Sequence, residues 1–181
     1  MRDLRAARCL PLVRASAVLH ALSPATRYVL RGGSEVRAAA ESAVGFGIPA
    51  RACRATAEGD RAALWLGPDE WLLMAPDPPP SGFAAALAAA LERLPHSLVD
   101  VSHRQSALAV SGPQAATLLA AGCPLDLDES AFPVGMCTRT VLAKAEVVLW
   151  RTEPQVFRLE VWRSFVAYVS QFLGEAARGI I

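Results

Sequence analysis

Lysine is almost missing from this chain: Lys144 is the only one among 18 Lys+Arg. Its cations are therefore nearly all guanidinium groups, which suit planar, bidentate contacts at an interface, although genomic base composition produces the same bias. Net charge is missing too. With 17 Asp+Glu the formal balance is +1, so no global field draws nucleic acid or an anionic membrane, and neither is expected as a partner. Cys9, Cys53, Cys123 and Cys137 form no CxxC pair and have no close neighbouring His, which excludes a zinc knuckle or a dithiol redox motif. They read as small buried apolar residues of a reducing, cytoplasmic compartment. An uninterrupted apolar run is lacking as well. Arg14 breaks the opening MRDLRAARCLPLVRASAVLHALSP, and the uncharged stretch 105–125 is punctuated by Ser111-Gly112-Pro113, Gln114 and Pro124, so neither a signal peptide nor a membrane span is expected. The glycine pairs Gly32-Gly33, Gly45-x-Gly47 and Gly112-Pro113 make no GxGxxG or P-loop pattern.

What is present is apolar substance. Hydrophobic residues make up 53% of the 181, charged residues 19%, and mean hydropathy is +0.30. Such a chain buries a substantial core, and a partner surface is a natural place for the excess. The length allows one compact unit or two intimately packed halves.

Periodicity supplies two halves with the same order of elements. TRYVLRGG reads as a strand ended by Gly32-Gly33. Ser34 is placed to cap a helix with apolar positions Val36, Ala39, Ala40, Ala43 and Val44, stopped by Gly45. SALAVSG repeats the strand, Pro113 is placed in the first helical turn, Ala115, Leu118 and Leu119 share a face, and Gly122 terminates. RAALWL-GPDE-WLLMA and EVVLWR-TEP-QVFRLEVW read as equivalent hairpins, with Leu64-Trp65 matching Leu149-Trp150 and both Trp residues read as core. In the second arm Phe157, Leu159 and Val161 take one face, Arg158 and Glu160 the other. IPARACRATA and MCTRTVLA read as the remaining strands, with a few extra residues in the second middle loop. Each half closes with a helix: Phe83, Leu87, Leu91 and Leu94 before Pro95, and a Ser164-capped stripe of Phe165, Tyr168, Val169, Phe172 and Leu173. The unit is β-α-β-β-β-α, written twice, an α+β fold expected to pack about a pseudo-twofold axis as one globular domain. The expected divisions are an N-terminal segment 1–25, a first repeat 26–97 and a second repeat 98–181.

No motif in the chain carries recognisable chemistry. His20 falls in what reads as an irregular N-terminal region, and His96 follows the helix-ending Pro95. Asp100, Ser102 and His103 are too close in sequence for a Ser/His/Asp triad, whose side chains must converge from separate elements; a turn held by Asp100 and Ser102, with His103 on the surface, is the better reading. Asp126-x-Asp128-Glu129 lacks the Gly and later Glu of a calcium loop and reads as solvated. No catalytic, cofactor-binding or metal residue is assigned. Trp71, Arg104, Arg139, Trp162 and Arg163, placed by the repeat near hairpin ends, are the interface candidates, because Trp and Arg dominate interface energetics.

At VDVSHRQSALAVSGPQAATLLAAGCPLDL, FPVGMCTRTVLAKAEVVLW, FRLEVWRSFVAYVSQFL and LGPDEWLLMAP the chain resembles the gamma subunit family of bacterial heterotetrameric sarcosine oxidase, over roughly residues 26 to 176. That family is in turn similar to the folate-binding domain of the glycine-cleavage T protein, whose D-x-S before a strand-Gly-helix opening resembles Asp100-Val101-Ser102 through Leu119. The resemblance implies a non-catalytic subunit in an alpha-beta-gamma-delta complex that oxidises sarcosine. FAD, FMN, NAD, zinc and tetrahydrofolate would then sit in the partner subunits, and no cofactor in this chain. The related YgfZ-like proteins carry K-G-C-x-x-G-Q-E; Gly122-Cys123-Pro124-Leu125 lacks the flanking residues. A free-standing folate-binding module or one-carbon transferase on the same fold is the alternative.

Overall fold

The structure, a computed structural model, describes residues 17–179 and the backbone of 12–14. Cys9 and the opening of the N-terminal segment lie outside the described residues. The elements run β1 (Leu12–Arg14), β2 (Ala17–Ala21), β3 (Ala25–Gly32), α1 (Ser34–Val44), β4 (Ala55–Glu58), β5 (Arg61–Gly67), β6 (Glu70–Pro76), α2 (Phe83–Leu91) and β7 (His96–Asp100). They continue with β8 (Gln105–Ser111), α3 (Ala115–Ala120), β9 (Cys137–Leu142), β10 (Ala145–Glu153), β11 (Val156–Trp162) and α4 (Val166–Ala176), with short 3-10 turns on either side of α4. The series β3-α1-β4-β5-β6-α2 recurs as β8-α3-β9-β10-β11-α4, so the duplicated α+β unit is present.

Two compact units result. One spans Pro24–His103; the other joins the residues up to Ser23 to those from Arg104 onward. In the first, five antiparallel strands lie in the order β4-β5-β6-β3-β7. Alternation along the strands sends Leu30, Ala63, Trp71, Leu73 and Ala75 to one face, where Val36, Ala40 and Val44 of α1 and Phe83, Leu87 and Leu91 of α2 close over them. Ser34 is the first helical residue rather than the cap. Gly33 takes the cap position with no side-chain bond, its carbonyl accepting from Arg37. Gly45 ends α1 in the left-handed conformation, φ 71°, and donates to the Glu41 carbonyl at 3.0 Å. The expected strand over IPARACRATA begins only at Ala55.

The second unit has the sheet order β1-β2-β8-β11-β10-β9. Leu108, Val110, Val147, Leu149, Phe157, Leu159 and Val161 face α3 and α4. Three details depart from the sequence reading. Gln114, not Pro113, precedes α3 as its cap residue. Glu160 is buried although it alternates with the helix-facing residues, and its carboxylate accepts from Arg158 Nε at 2.8 Å. The helix closing the unit is entered through a 3-10 turn, Arg163–Phe165, so Ser164 caps nothing. The loop between α3 and β9, 121–136, is longer than its counterpart between α1 and β4, 45–54, as the repeat spacing requires.

Three strands, β1, β2 and β7, were not legible. β2 pairs with β8, and β7 pairs with β3, so the strand preceding each repeat in sequence belongs to the sheet of the other repeat. His20 accordingly sits exposed on β2, and His96 exposed on β7.

Candidate docking surface

The end of the β8–β11 pair gathers three of the five interface candidates. Register puts Trp162 opposite Gln105, and the Arg163 N–H donates to the Arg104 carbonyl at 2.9 Å. These backbone bonds bring the Arg104 guanidinium over the Trp162 ring, 5.2 Å from its centroid, a cation–π contact that orders two otherwise mobile side chains. Trp162 remains 42% exposed, and both Arg residues are exposed.

Beyond Arg163 the 3-10 turn shifts the helical phase. α4 buries Val166, Val169 and Leu173, and Phe172 packs partly against the same core. Phe165 and Tyr168, expected in the buried stripe, are instead turned outward at 39% and 37% exposure. Their rings meet edge to face, centroids 6.5 Å apart, in the geometry aromatic quadrupoles prefer. The Lys144 backbone N–H, in the β9–β10 turn, donates to the Tyr168 hydroxyl at 3.3 Å. Periodicity missed both aromatics because a stripe counted from Phe165 and one counted from Val166 share Val169 and Leu173.

The other two candidates lie elsewhere. Arg139 is exposed on β9, opposite Val148. Trp71 is 2% exposed and its indole N–H donates to the Pro49 carbonyl at 2.8 Å, so it is a core residue and offers no surface. Trp65 and Trp150, read as core, are half-buried.

Residues that suggested chemistry are engaged in holding the backbone. Ser102 N–H donates to Asp100 Oδ1 at 2.8 Å, and Ser102 Oγ accepts from Arg27 N at 2.9 Å, tying the end of β7 to β3. Burial pushes the Asp100 carboxyl up, but the two hydrogen bonds from Ser102 and the nearby His103 outweigh it and hold the group below its ordinary value. Tyr28, its cross-strand neighbour, is raised by burial and then by the Asp100 charge. In the acidic loop Asp126 accepts from Asp128 N, and Asp128 Oδ1 accepts from Ser130 N and Oγ at 2.9 and 2.6 Å. Among the described residues no group of three or more His, Cys, Asp or Glu could hold a metal ion, and no helix is long and apolar enough to cross a membrane.

A duplicated α+β chain of this order is the fold of the aminomethyltransferase T of the glycine cleavage system from Bartonella henselae, which superposes at TM-score 0.66 over 91% of this chain and 47% of that one, with 15% identity. Agreement at that level concerns the fold alone. A chain of the heterotetrameric sarcosine oxidase from Corynebacterium sp. U-96 matches far more closely, at TM-score 0.83 and 34% identity over 90% of this chain and 84% of that one. The sarcosine oxidase subunit gamma of an Arthrobacter species is 42% identical over 142 residues, 76% of this chain and 68% of the relative; that of Corynebacterium sp. strain P-1 is 40% identical over 146 residues, 80% and 70%. The model of the sarcosine oxidase, gamma subunit family matches residues 32–178. The chain belongs to that family.

Proposed function

We propose that this chain is the gamma subunit of a heterotetrameric sarcosine oxidase, and that its role there is structural. The observation that carries the reading is the family match across 32–178, joined to the superposition on a chain of a heterotetrameric enzyme. The hydrogen-bonding of Asp100, Ser102, Asp126 and Asp128 into turns supports it, since those groups serve the fold. The alpha, beta and delta subunits are the partners, and they hold FAD, FMN, NAD, zinc and tetrahydrofolate. The assembled enzyme converts sarcosine, oxygen and tetrahydrofolate to glycine, methylene-tetrahydrofolate and hydrogen peroxide in the cytoplasm. Nucleic acid and membrane play no part. Purification through a tag on this chain, co-expressed with the other three subunits, is expected to return a four-subunit flavoprotein that oxidises sarcosine. The isolated chain is expected to bind tetrahydrofolate more weakly than micromolar, about −8 kcal/mol; tighter binding would favour a folate-binding module instead.

A further inference from the structure

We propose that the aromatic face formed by Trp162, Phe165 and Tyr168, with Arg104, Arg163 and Lys144 around it, docks an acidic segment of a larger partner subunit: a stretch with at least two carboxylates beside an apolar side chain. The proposal rests on the subunit role above and specifies where and by what chemistry the chain is held.

Six large hydrophobic residues are prominently exposed among the described residues, and three of them fall within this seven-residue stretch. The other three, Val99, Val134 and Val141, are single aliphatic side chains on β7, in the 121–136 loop and on β9. Scattered aliphatic side chains are ordinary on a soluble surface; adjoining aromatic rings are not. The helix had another choice. Its buried face is satisfied by Val166, Val169 and Leu173, so the outward rings lie outside the core cluster and are accounted for by a surface that covers them.

Charge selects the occupant. Arg104, Arg163 and Lys144 are exposed on this stretch and on the strand ends beside it; the exposed carboxylates closest in register and in helical phase are Glu146, next to Val147, which pairs with Val161, and Glu175, two turns along α4 from Tyr168 and already paired with Arg178. Among the described residues, three cations without a carboxylate partner therefore stand against one unpaired anion, Glu146, since Glu175 is engaged by Arg178, on a chain whose overall balance is only +1. Stacking on Trp162 holds the Arg104 guanidinium in place before binding, leaving the fork geometry that fits a carboxylate bidentately. A second copy of the chain is disfavoured, because a twofold contact would bring the same cations face to face. An anionic bilayer is disfavoured by the small number of cations, each contributing little at a membrane surface.

The test uses the co-expressed complex. Trp162→Ala and Arg163→Glu, each checked for an unchanged thermal midpoint, are compared with Arg178→Glu, a charge reversal at the far end of the same helical segment. The proposal expects Trp162→Ala to weaken assembly about thirtyfold and Arg163→Glu about tenfold, the latter loss shrinking at high salt, while Arg178→Glu stays within about twofold. Trp162→Phe, which keeps a ring in the stack, is expected to recover most of the loss. Benzoylphenylalanine placed at Tyr168 should cross-link to a partner stretch rich in Asp and Glu. Assembly of both patch variants at wild-type strength, or a cross-link to lipid, to a second copy of the chain or to a basic stretch, overturns the docking proposal and leaves the subunit role standing. Failure of the unaltered chain to join any partner subunit instead removes the subunit role, and the docking surface with it.

Discussion

Trp71 shows how one residue's surroundings decide its role. Trp and Arg after a hairpin turn are legible as interface types, but sequence does not show that the 45–54 loop carries the Pro49 carbonyl over the indole. Trp71→Ala should cost about 3–5 kcal/mol by urea unfolding, and Trp71→Phe about 2 kcal/mol, since the buried carbonyl loses its donor. Gly32 was legible as a strand-ending glycine, though the reason lies in three dimensions: an added Cβ would stand 2.6–2.7 Å from the branched side chain of Val36. That side chain is fixed at the start of α1 and has little freedom to turn aside. Gly32→Ala is expected to lower stability by about 1–3 kcal/mol. Asp100 carries a pH signature. Its carboxyl is held below the ordinary value in the folded chain, so its contribution is complete above the unfolded-state pKa of about 3.9 and disappears as pH falls through the lower folded value. The stability difference between the wild type and Asp100→Asn should therefore close as pH drops below about 4 in parallel denaturation series; a difference that widens there contradicts the assignment.

Among the elements, the hairpins were the most legible and the helix ends the least. β5–β6 and β10–β11 announce themselves because turn residues interrupt two long β-rich runs. The phase of α4 was ambiguous because a 3-10 turn adds residues that do not follow the α-helical angle. β7 went unseen for a different reason: its residues, HSLVD, are nearly all exposed, so an edge strand has no alternating face to betray it. The α4 assignment is open to test. Val169→Ala, in the buried row, should cost about 2 kcal/mol, whereas Tyr168→Ala, which loses only an exposed hydrogen bond and the edge of Phe165, should cost about 1 kcal/mol or less; a larger loss at Tyr168 than at Val169 would mean that the aromatic row is the packed one.

For the whole molecule, the duplicated β-α-β-β-β-α order was legible and the pairing of β2 and β7 was not, since pairing partners far apart in sequence leave no local periodicity. Of the five interface candidates, Arg104, Trp162 and Arg163 come together, Arg139 stands apart on β9 and Trp71 is buried. Arg104, Trp162 and Arg163 converge because β8 and β11 pair in one register, which brings together positions far apart in the chain. The central claim is that this chain serves as a structural subunit. Native mass spectrometry of the complex purified through this chain, with sarcosine turnover measured per bound flavin, tests it most directly. The account predicts one copy of the chain in a four-subunit flavoprotein, and for Trp162→Ala fewer complexes but nearly unchanged turnover in each. A monomer without flavoprotein partners, or a Trp162→Ala complex that assembles fully and turns over slowly, would contradict it.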